Sequence, residues 1–196
     1  MNRRTFMTHA AGFAAARLCL AGDQPVVTTR TGKVRGRFVD GVHTFKGIPY
    51  GAPTGGSNRF MPPKPAEPWT GVREAFEYGH FAPQSSRQRG LKQLEYFGIL
   101  RPVSSSSPSE DCLYLNVWTK GLNDGGKRPV MVWIHGGGYD QGTGGALGYE
   151  GAGLAKHQDV VMVSMNHRLN VLGYLFLGDA GGSGFENASN AGIAEK

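Results

Sequence analysis

Three consecutive glycines follow a histidine in the middle of the chain. Gly136, Gly137 and Gly138 come directly after His135, and His135 follows an apolar run at residues 129–134. Glycine has no Cβ, so this segment can turn sharply and expose its N–H groups without side-chain obstruction. Backbone N–H groups held near a carbonyl under attack stabilise the oxygen that becomes negative. A glycine run alone is equally typical of a flexible turn, but the apolar run and the histidine favour an oxyanion-binding loop.

The elements around this loop indicate an α/β fold. Three short apolar segments predict strands, and a segment of helical composition lies between the last two. The order strand, glycine loop, helix, strand is the βαβ pattern of a mostly parallel sheet. Unbroken apolar strands are typical of a sheet covered by helices on both faces, so we expect these strands to be buried. The strands are residues 113–118, 129–134 and 160–165, and the helix is residues 149–157.

The front of the chain predicts a small antiparallel β unit. Two apolar and β-branched segments flank a Thr31-Gly32 turn, and a third follows closely. A segment rich in Pro and Gly then predicts an irregular surface path, and a long polar segment could contain one short helix. The strands are residues 26–29, 33–38 and 42–50, the irregular segment is 51–68, and the short helix is 91–97.

Several separate motifs occur in a fixed order along the chain. They are FKGIPY at residues 45–50, NRF at 58–60, EDCLYLNV at 110–117 and NHRLNVLGY at 166–174, with the glycine loop between the last two. Together they resemble the type-B carboxylesterase and cholinesterase family from about residue 26 to residue 193. HGGG-type loops supply oxyanion donors in lipases and esterases. The resemblance implies an incomplete α/β-hydrolase fold, with a small N-terminal antiparallel β unit followed by the first strands of a central, mostly parallel sheet.

The resemblance also implies a role for the loop residues. Gly137 and Gly138 would supply two oxyanion N–H groups, and His135 and Gly136 would complete the loop. The triad of this fold follows the chain order serine, acid, histidine, so the catalytic base is expected far downstream. His135 is therefore interpreted as a residue that holds the loop, and not as the base.

Arg59 and Glu110 would form a structural salt bridge in the family. The alternative is a solvated surface pair, which contributes little to stability. Tyr50, Trp118 and Tyr139 are interpreted as packing residues and not as substrate contacts.

The chain departs from the family pattern at several positions. The family's cysteine partner for Cys112 would fall near Ala82, so that disulfide is absent. His167 replaces the usual tyrosine, and Asn170 replaces the usual glycine. Near Lys196 the sequence departs from the expected acidic-glutamine ending.

A nucleophile elbow needs Gly-x-Ser-x-Gly on a strand-to-helix turn. Ser57 and Ser183 each follow a Gly-x pair, but neither completes the pattern. The nucleophile, acid and base are thus expected beyond Lys196. We interpret residues 23–196 as the N-terminal part of a serine carboxylesterase that cleaves small carboxylic esters through an acyl-enzyme and is inactive alone. The alternatives are a non-catalytic cholinesterase-like binding or adhesion protein and a truncated pseudogene product.

The lack of a nucleophile strand has a structural consequence. We expect the strand at residues 160–165 to lie unpaired at the edge of the sheet. An unpaired apolar edge strand promotes aggregation.

Residues 1–22 resemble an export signal. NRRTFM at residues 2–7 is similar to a twin-arginine motif, and residues 10–21 are small and mildly apolar. The apolar run is too short to span a bilayer, and Arg17 interrupts it. The signal predicts a periplasmic or secreted protein, whereas the alternative is an ordinary N-terminus.

Composition argues against other classes of function. Of the net charge of +6, residues 23–196 carry +3, and their basic residues form no stripe with interleaved aromatic residues. Nucleic-acid binding therefore has little support. The six histidines form neither a His-x-x-x-His motif nor a cluster with cysteine. We expect no metal and no other cofactor.

Overall fold

Two β-sheets and four short α-helices make up the described part of the chain, which is residues 24–84 and 106–195 of a computed structural model. The strands are β1 Val26–Thr28, β2 Lys33–Arg35, β3 Arg37–Val39, β4 Val42–Pro49, β5 Val72–Glu74, β6 Tyr114–Thr119, β7 Val130–Ile134 and β8 Val161–Met165. The α-helices are α1 Ala152–Gln158, α2 Asn170–Tyr174, α3 Gly178–Gly181 and α4 Ala191–Ala194. Single 3-10 turns occur at Gly56–Asn58, Leu147–Tyr149 and Ala188–Asn190.

The larger sheet has the strand order β3-β4-β6-β8-β7. β7 and β8 are parallel and are connected through α1, as the predicted βαβ pattern requires. The other neighbouring pairs of this sheet are antiparallel. The α/β class is therefore confirmed, and the described sheet is mixed. Its core against α1 is built around Trp118, which is fully buried among Val42, Ala155 and Met162.

The front of the chain differs from the prediction. β1 and β2 pair antiparallel around the predicted turn, but their sheet is completed by β5, which runs parallel to β2. The expected strand at residues 33–38 is divided at Gly36, and its second half is β3 of the larger sheet. A Cβ on Gly36 would lie 2.5 Å from the carbonyl O of Thr44, so only glycine lets the chain pass so closely from one sheet to the other. The third predicted strand likewise belongs to the larger sheet, as β4.

The open edge of the larger sheet is also not where we expected it. β8 pairs with β6 on one side and with β7 on the other, so residues 160–165 are not an edge strand. After α1 the chain forms β8 between β6 and β7, so β7 lies at the edge of the sheet. The expectation that residues 129–134 are buried is also wrong. Every residue of β7 is between 40% and 64% exposed.

Two sequence predictions lie outside the described residues, namely the export signal at residues 1–22 and the short helix at residues 91–97. Within residues 24–84 and 106–195, every helix is too short or too polar to cross a membrane.

We predict that Val132→Lys makes the 196-residue chain less prone to aggregate. Val132 is 52% exposed in the middle of β7, and a lysine on an edge strand opposes pairing with another chain. Light scattering during a concentration series should show a monomer at concentrations where the parent chain associates. The control is Leu147→Lys, which adds the same charge at an equally exposed apolar residue away from the edge. Equal improvement by the two variants would contradict the role of the edge.

We also predict that Ala82→Cys forms a disulfide with Cys112. Ala82 and Cys112 are buried in one cluster with Leu113 and Leu169, and burial raises the pKa of the Cys112 thiol to about 12. Closing the loop between positions 82 and 112 should stabilise the chain by about 3 kcal/mol. Peptide mapping without reductant should find the link, and the unfolding midpoint should fall when reductant is added. Ala75→Cys, which is equally buried but in another cluster, should give no link.

Candidate active site

The glycine loop turns sharply after β7. The backbone φ is 135° at Gly137 and 64° at Gly138, and Tyr139 follows at 63°. Side chains rarely tolerate this left-handed region. At Gly137 the space is closed as well, since a Cβ would lie 1.8 Å from the carbonyl O of Gln141. The path of the chain thus requires glycine at position 137 and favours it at position 138.

The hydrogen bonds among the described residues use carbonyl oxygens of the loop but not the N–H groups of Gly136, Gly137 and Gly138. The carbonyl O of Gly137 accepts the N–H groups of Asp140 and Gln141, each at 3.2 Å. In the described part of the chain, no hydrogen bond has the N–H of Gly137 or Gly138 as its donor. Adjacent N–H groups in such a turn can bind a single anionic oxygen.

His135 lies beneath the loop and is buried. Its Nδ1 lies 2.9 Å from the carbonyl O of Gly136, so a proton on Nδ1 is donated to that carbonyl. The ring stacks on the buried ring of His167, with centroids 4.6 Å apart and planes 13° apart. Gly142 closes the other side, where a Cβ would lie 2.3 Å from His135 Nδ1. This packing fits a residue that holds the loop and not one that exchanges protons with a substrate.

The segment after β8 supports the other end of the loop. Asn170 donates its N–H to the carbonyl O of Tyr139 at 2.6 Å, and its Nδ2 donates to the carbonyl O of Pro83 at 2.6 Å. Asn170 has a φ of 50°, in the region that asparagine tolerates better than most side chains. This accounts for asparagine where the family usually has glycine. The ring of Tyr139 packs against the ring of Tyr174, with the two ring centroids 4.8 Å apart.

The three aromatic residues interpreted as packing residues lie in different surroundings. Trp118 is in the core, and Tyr50 packs against the cluster of Cys112 while its hydroxyl donates to the carbonyl O of Asn166 at 2.5 Å. Tyr139, in contrast, is 56% exposed. It therefore lies on the surface of the glycine loop.

Sequence reasoning missed Asn166, which follows β8 directly. Its Oδ1 accepts the N–H of Gly144 at 2.7 Å and the hydroxyl of Thr143 at 3.1 Å. Its Nδ2 donates to the carbonyl O of His80 at 2.8 Å. One buried amide therefore fixes the segment after the glycine loop to the end of β8. In the sequence, Asn166 opens the NHRLNVLGY motif and directly follows an apolar strand, but neither signal indicates which groups its amide would bind.

A second polar pair inside the sheet supports the same segment. Asn116 on β6 donates through Nδ2 to the hydroxyl oxygen of Ser164 on β8 at 3.0 Å, and the Ser164 hydroxyl donates to the carbonyl O of Gly144 at 2.8 Å. The amide, the hydroxyl and the carbonyl thus each have a partner, which is the condition under which a buried network makes a structure rigid.

Arg168 and Glu195 form a buried ion pair, with side chains 3% and 0% exposed. Glu195 accepts from Arg168 Nε through one oxygen, and from the backbone N–H of Arg168 at 2.8 Å through the other. Removal of one partner of such a pair typically destabilises a protein by about 3–5 kcal/mol.

Arg59 and Glu110 are in contact, as the resemblance implied. Arg59 Nε donates to Glu110 Oε2 at 2.7 Å, and Arg59 Nη2 donates to Oε1. The hydrogen bond from Arg59 lowers the pKa of Glu110. The two side chains are partly exposed, and none of their hydrogen bonds in the described chain reaches the glycine loop. The pair joins the segment of residues 55–60 to residue 110, away from the loop.

The family assignment follows from comparison with known proteins. The model of the Carboxylesterase family matches residues 23–193. The chain belongs to the carboxylesterase family. Within it, the chain is 43% identical over 162 residues to the pyrethroid hydrolase Ces2e of Rattus norvegicus, a match that covers 79% of this chain and 28% of the rat protein. It is 43% identical over 152 residues to the para-nitrobenzyl esterase of Bacillus subtilis (strain 168), covering 78% of this chain and 29% of that esterase.

Solved carboxylesterase structures share the fold. The Geobacillus stearothermophilus carboxylesterase EST55 at pH 6.8 superposes with a TM-score of 0.74 at 44% identity, over 87% of this chain and 32% of that chain. An esterase from Clostridium hathewayi superposes with a TM-score of 0.75 at 40% identity, over 88% of this chain and 33% of that one. This carboxylesterase-family chain thus has a partial α/β-hydrolase fold, and it spans less than a third of the length of the rat and Bacillus subtilis relatives.

We predict that the contribution of Arg59 to stability disappears in acid. Because the pKa of Glu110 is lowered on folding, the pair stabilises the fold above the ordinary pKa of glutamate, and this contribution is lost as the pH falls through the lowered value. Arg59→Ala should lower the free energy of unfolding only slightly at pH 7, since both side chains are partly exposed and solvent screens the pair. Chemical denaturation of the parent and variant chains from pH 7 to pH 3 measures the difference.

The control for this measurement is Arg30→Ala, because Arg30 is exposed and has no ion pair in the described residues. If the difference in free energy of unfolding between the parent chain and Arg59→Ala stayed constant down to pH 3, the ion pair could not be its source.

Proposed function

We propose that this chain forms the oxyanion-binding part of a serine carboxylesterase, with Gly137 and Gly138 as two of the donors. The observation that carries the proposal is the pair of unused N–H groups on a sharply turned loop at the end of β7. The family assignment supports the reaction class. The substrates proposed are small carboxylic esters.

The loop would act on the charge that develops during hydrolysis. When the serine oxygen adds to the ester carbonyl, the base takes the proton of the hydroxyl, the C=O π electrons move to the carbonyl oxygen and a tetrahedral intermediate forms. The N–H groups of Gly137 and Gly138 would donate to this oxygen, and donors already held in place contribute about 3 kcal/mol each to lowering the barrier. The alcohol then leaves with a proton from the base, and water releases the acid from the acyl-enzyme.

The open edge of β7 is consistent with a further strand carrying the nucleophile. A strand added beside β7 in the parallel direction would end at the same edge of the sheet as the glycine loop. A serine on the turn after that strand would then lie next to Gly137 and Gly138. Such a strand would also pair with the open backbone edge of β7.

Other parts of the proposal rest on the sequence and on the relatives. The relatives include enzymes named for hydrolysis of pyrethroids, phenmedipham and para-nitrobenzyl esters, which supports a small-molecule ester substrate. No cofactor takes part in the proposed mechanism. The twin-arginine-like segment at residues 2–7 supports export to the periplasm or outside the cell.

The first experiment is to sequence the coding DNA beyond the Lys196 codon. If the reading frame continues, the protein that it encodes from Met1 onwards, here called the continued product, is expressed. A continuing frame that encodes Gly-x-Ser-x-Gly supports the esterase. A stop codon without such a frame favours the non-catalytic cholinesterase-like protein, as does a continued product that does not hydrolyse p-nitrophenyl acetate.

We predict that Gly137→Ala lowers kcat/KM of the continued product for p-nitrophenyl acetate by about 100-fold or more. The added methyl would collide with the carbonyl O of Gln141 and displace the donor from the oxyanion. The matched control is Gly71→Ala, at a turn glycine with a φ of 76° and open space around it, which tests backbone strain alone. If Gly137→Ala and Gly71→Ala were equally active, the oxyanion role of the loop would be wrong.

A further inference from the structure

The end of the glycine loop is bonded to a side chain that lies 58 residues earlier in the sequence. The carboxamide of Gln84 binds the backbone of Gly142 twice. Its Oε1 accepts the N–H of Gly142, and its Nε2 donates to the carbonyl O of Gly142, both at 2.9 Å. Nε2 also donates to the carbonyl O of Ala82 at 3.1 Å. A carboxamide turned by 180° would place Oε1 against two carbonyl oxygens, so this network fixes its orientation.

The segment that carries Gln84 is held in place by other contacts. Ala82 is 1% exposed and lies in the buried cluster of Cys112. The carbonyl O of Pro83 accepts the Nδ2 group of Asn170 at 2.6 Å. Neither contact involves the Gln84 side chain, so the segment would keep its place without that side chain. The carboxamide therefore holds Gly142 from a fixed support.

Gly142 lies between Gln84 and the base of the glycine loop. A Cβ on Gly142 would lie 2.3 Å from His135 Nδ1 and 2.6 Å from the carbonyl O of Gly136. The φ of Gly142 is 124°, in a region that side chains rarely tolerate. The backbone of Gly142 thus packs directly against the residues that begin the loop, and its position affects theirs.

The peptide group between Gln141 and Gly142 extends this hold to Gly137. The N–H that Gln84 binds and the carbonyl O of Gln141 belong to one planar trans peptide, so they point in opposite directions. That carbonyl O lies 1.8 Å from the place that a Cβ of Gly137 would occupy. The N–H of Gln141 also donates to the carbonyl O of Gly137 at 3.2 Å. Fixing the N–H of Gly142 therefore fixes an oxygen that packs on Gly137.

We propose that Gln84 is a positioning residue for ester hydrolysis. It orients the peptide between Gln141 and Gly142 and so keeps the N–H of Gly137 directed at the oxyanion, without touching the substrate. This inference rests on the proposed function. Donors that are fixed in advance act on the transition state, so loss of the hold lowers kcat and leaves KM nearly unchanged.

The test is Gln84→Glu in the continued product, with p-nitrophenyl acetate as the substrate. An ionised glutamate still accepts the N–H of Gly142, but its second oxygen faces the carbonyl oxygens of Ala82 and Gly142 and is repelled by them. A protonated glutamate donates its O–H to the carbonyl O of Gly142 and restores the double bond pattern. The two carbonyl oxygens favour the protonated form, so they raise the pKa of the new carboxyl group.

We expect kcat of Gln84→Glu at pH 8 to be about 10-fold or more below that of the unsubstituted continued product, with KM changed by less than about 3-fold. The ratio of the two kcat values should rise toward one as the pH falls to 5. His135 beside Gly142 and Cys112 beside Ala82 are present in both proteins, so the ratio removes their contribution to the pH profile. Each kcat is calculated per reactive serine, counted from the p-nitrophenol that diethyl p-nitrophenyl phosphate releases, so that unfolded protein does not lower it.

Two further variants serve as controls. Gln84→Met has a similar length but no amide, so its kcat should be low at every pH. Gln158→Glu adds the same charge at an exposed residue of α1, and its kcat should equal that of the unsubstituted continued product at every pH.

A kcat of Gln84→Glu that is normal at pH 8 would overturn the inference. A loss that does not recover in acid, or one that appears in KM alone, would overturn it as well. If Gly137→Ala still lowers kcat/KM in these cases, only the role of Gln84 is wrong and the proposed function stands. An unsubstituted continued product without activity would overturn both.

Circular dichroism checks the fold of each variant. If Gln84→Glu does not fold, Gln84→Asn replaces it, because its carboxamide is one methylene too short to reach Gly142. The same loss of kcat at unchanged KM is expected, and an unchanged kcat would overturn the inference.

Discussion

The glycine loop is held in its turn by hydrogen bonds to its carbonyl oxygens and to the segment that follows it. The carbonyl oxygens of Gly136, Gly137 and Tyr139 all have donors within hydrogen-bond distance. Asn166 fixes the segment after the loop. Because these bonds hold the turn, the N–H groups of Gly137 and Gly138 keep fixed directions without being used in the network of the described residues. The proposed function assigns them to an external oxygen.

The same loop depends on β7, which is one of the two edge strands of the larger sheet. Its backbone pairs with β8 on one side only, and its side chains are exposed along its full length. The candidate active site therefore follows directly after a strand with an open edge. Under the proposed function, one added strand would pair with this edge and complete the site at the same time, which would couple catalytic geometry to the stability of the fold.

Much of this arrangement could be predicted from sequence, because local signals determine it. The strands at residues 113–118, 129–134 and 160–165 and the helix between the last two were found from apolar runs and composition, and the glycine loop from three adjacent glycines. The strand order was not, because no local signal indicates on which side of β7 the chain returns. Nor did composition show that Gly36 divides a strand, since this depends on contact with Thr44 and Phe45. The network of Asn166 likewise arises from residues distant in sequence.

The departures from the family pattern show what the fold requires at each position. At Asn170 it requires a residue that tolerates a positive φ, and asparagine meets this requirement while adding a side-chain bond to Pro83. Beside Cys112, Ala82 fills the buried cluster without a covalent link. Beside His135, the ring of His167 stacks on the imidazole. At each of these three positions the residue that departs from the family pattern is held by contacts with its neighbours.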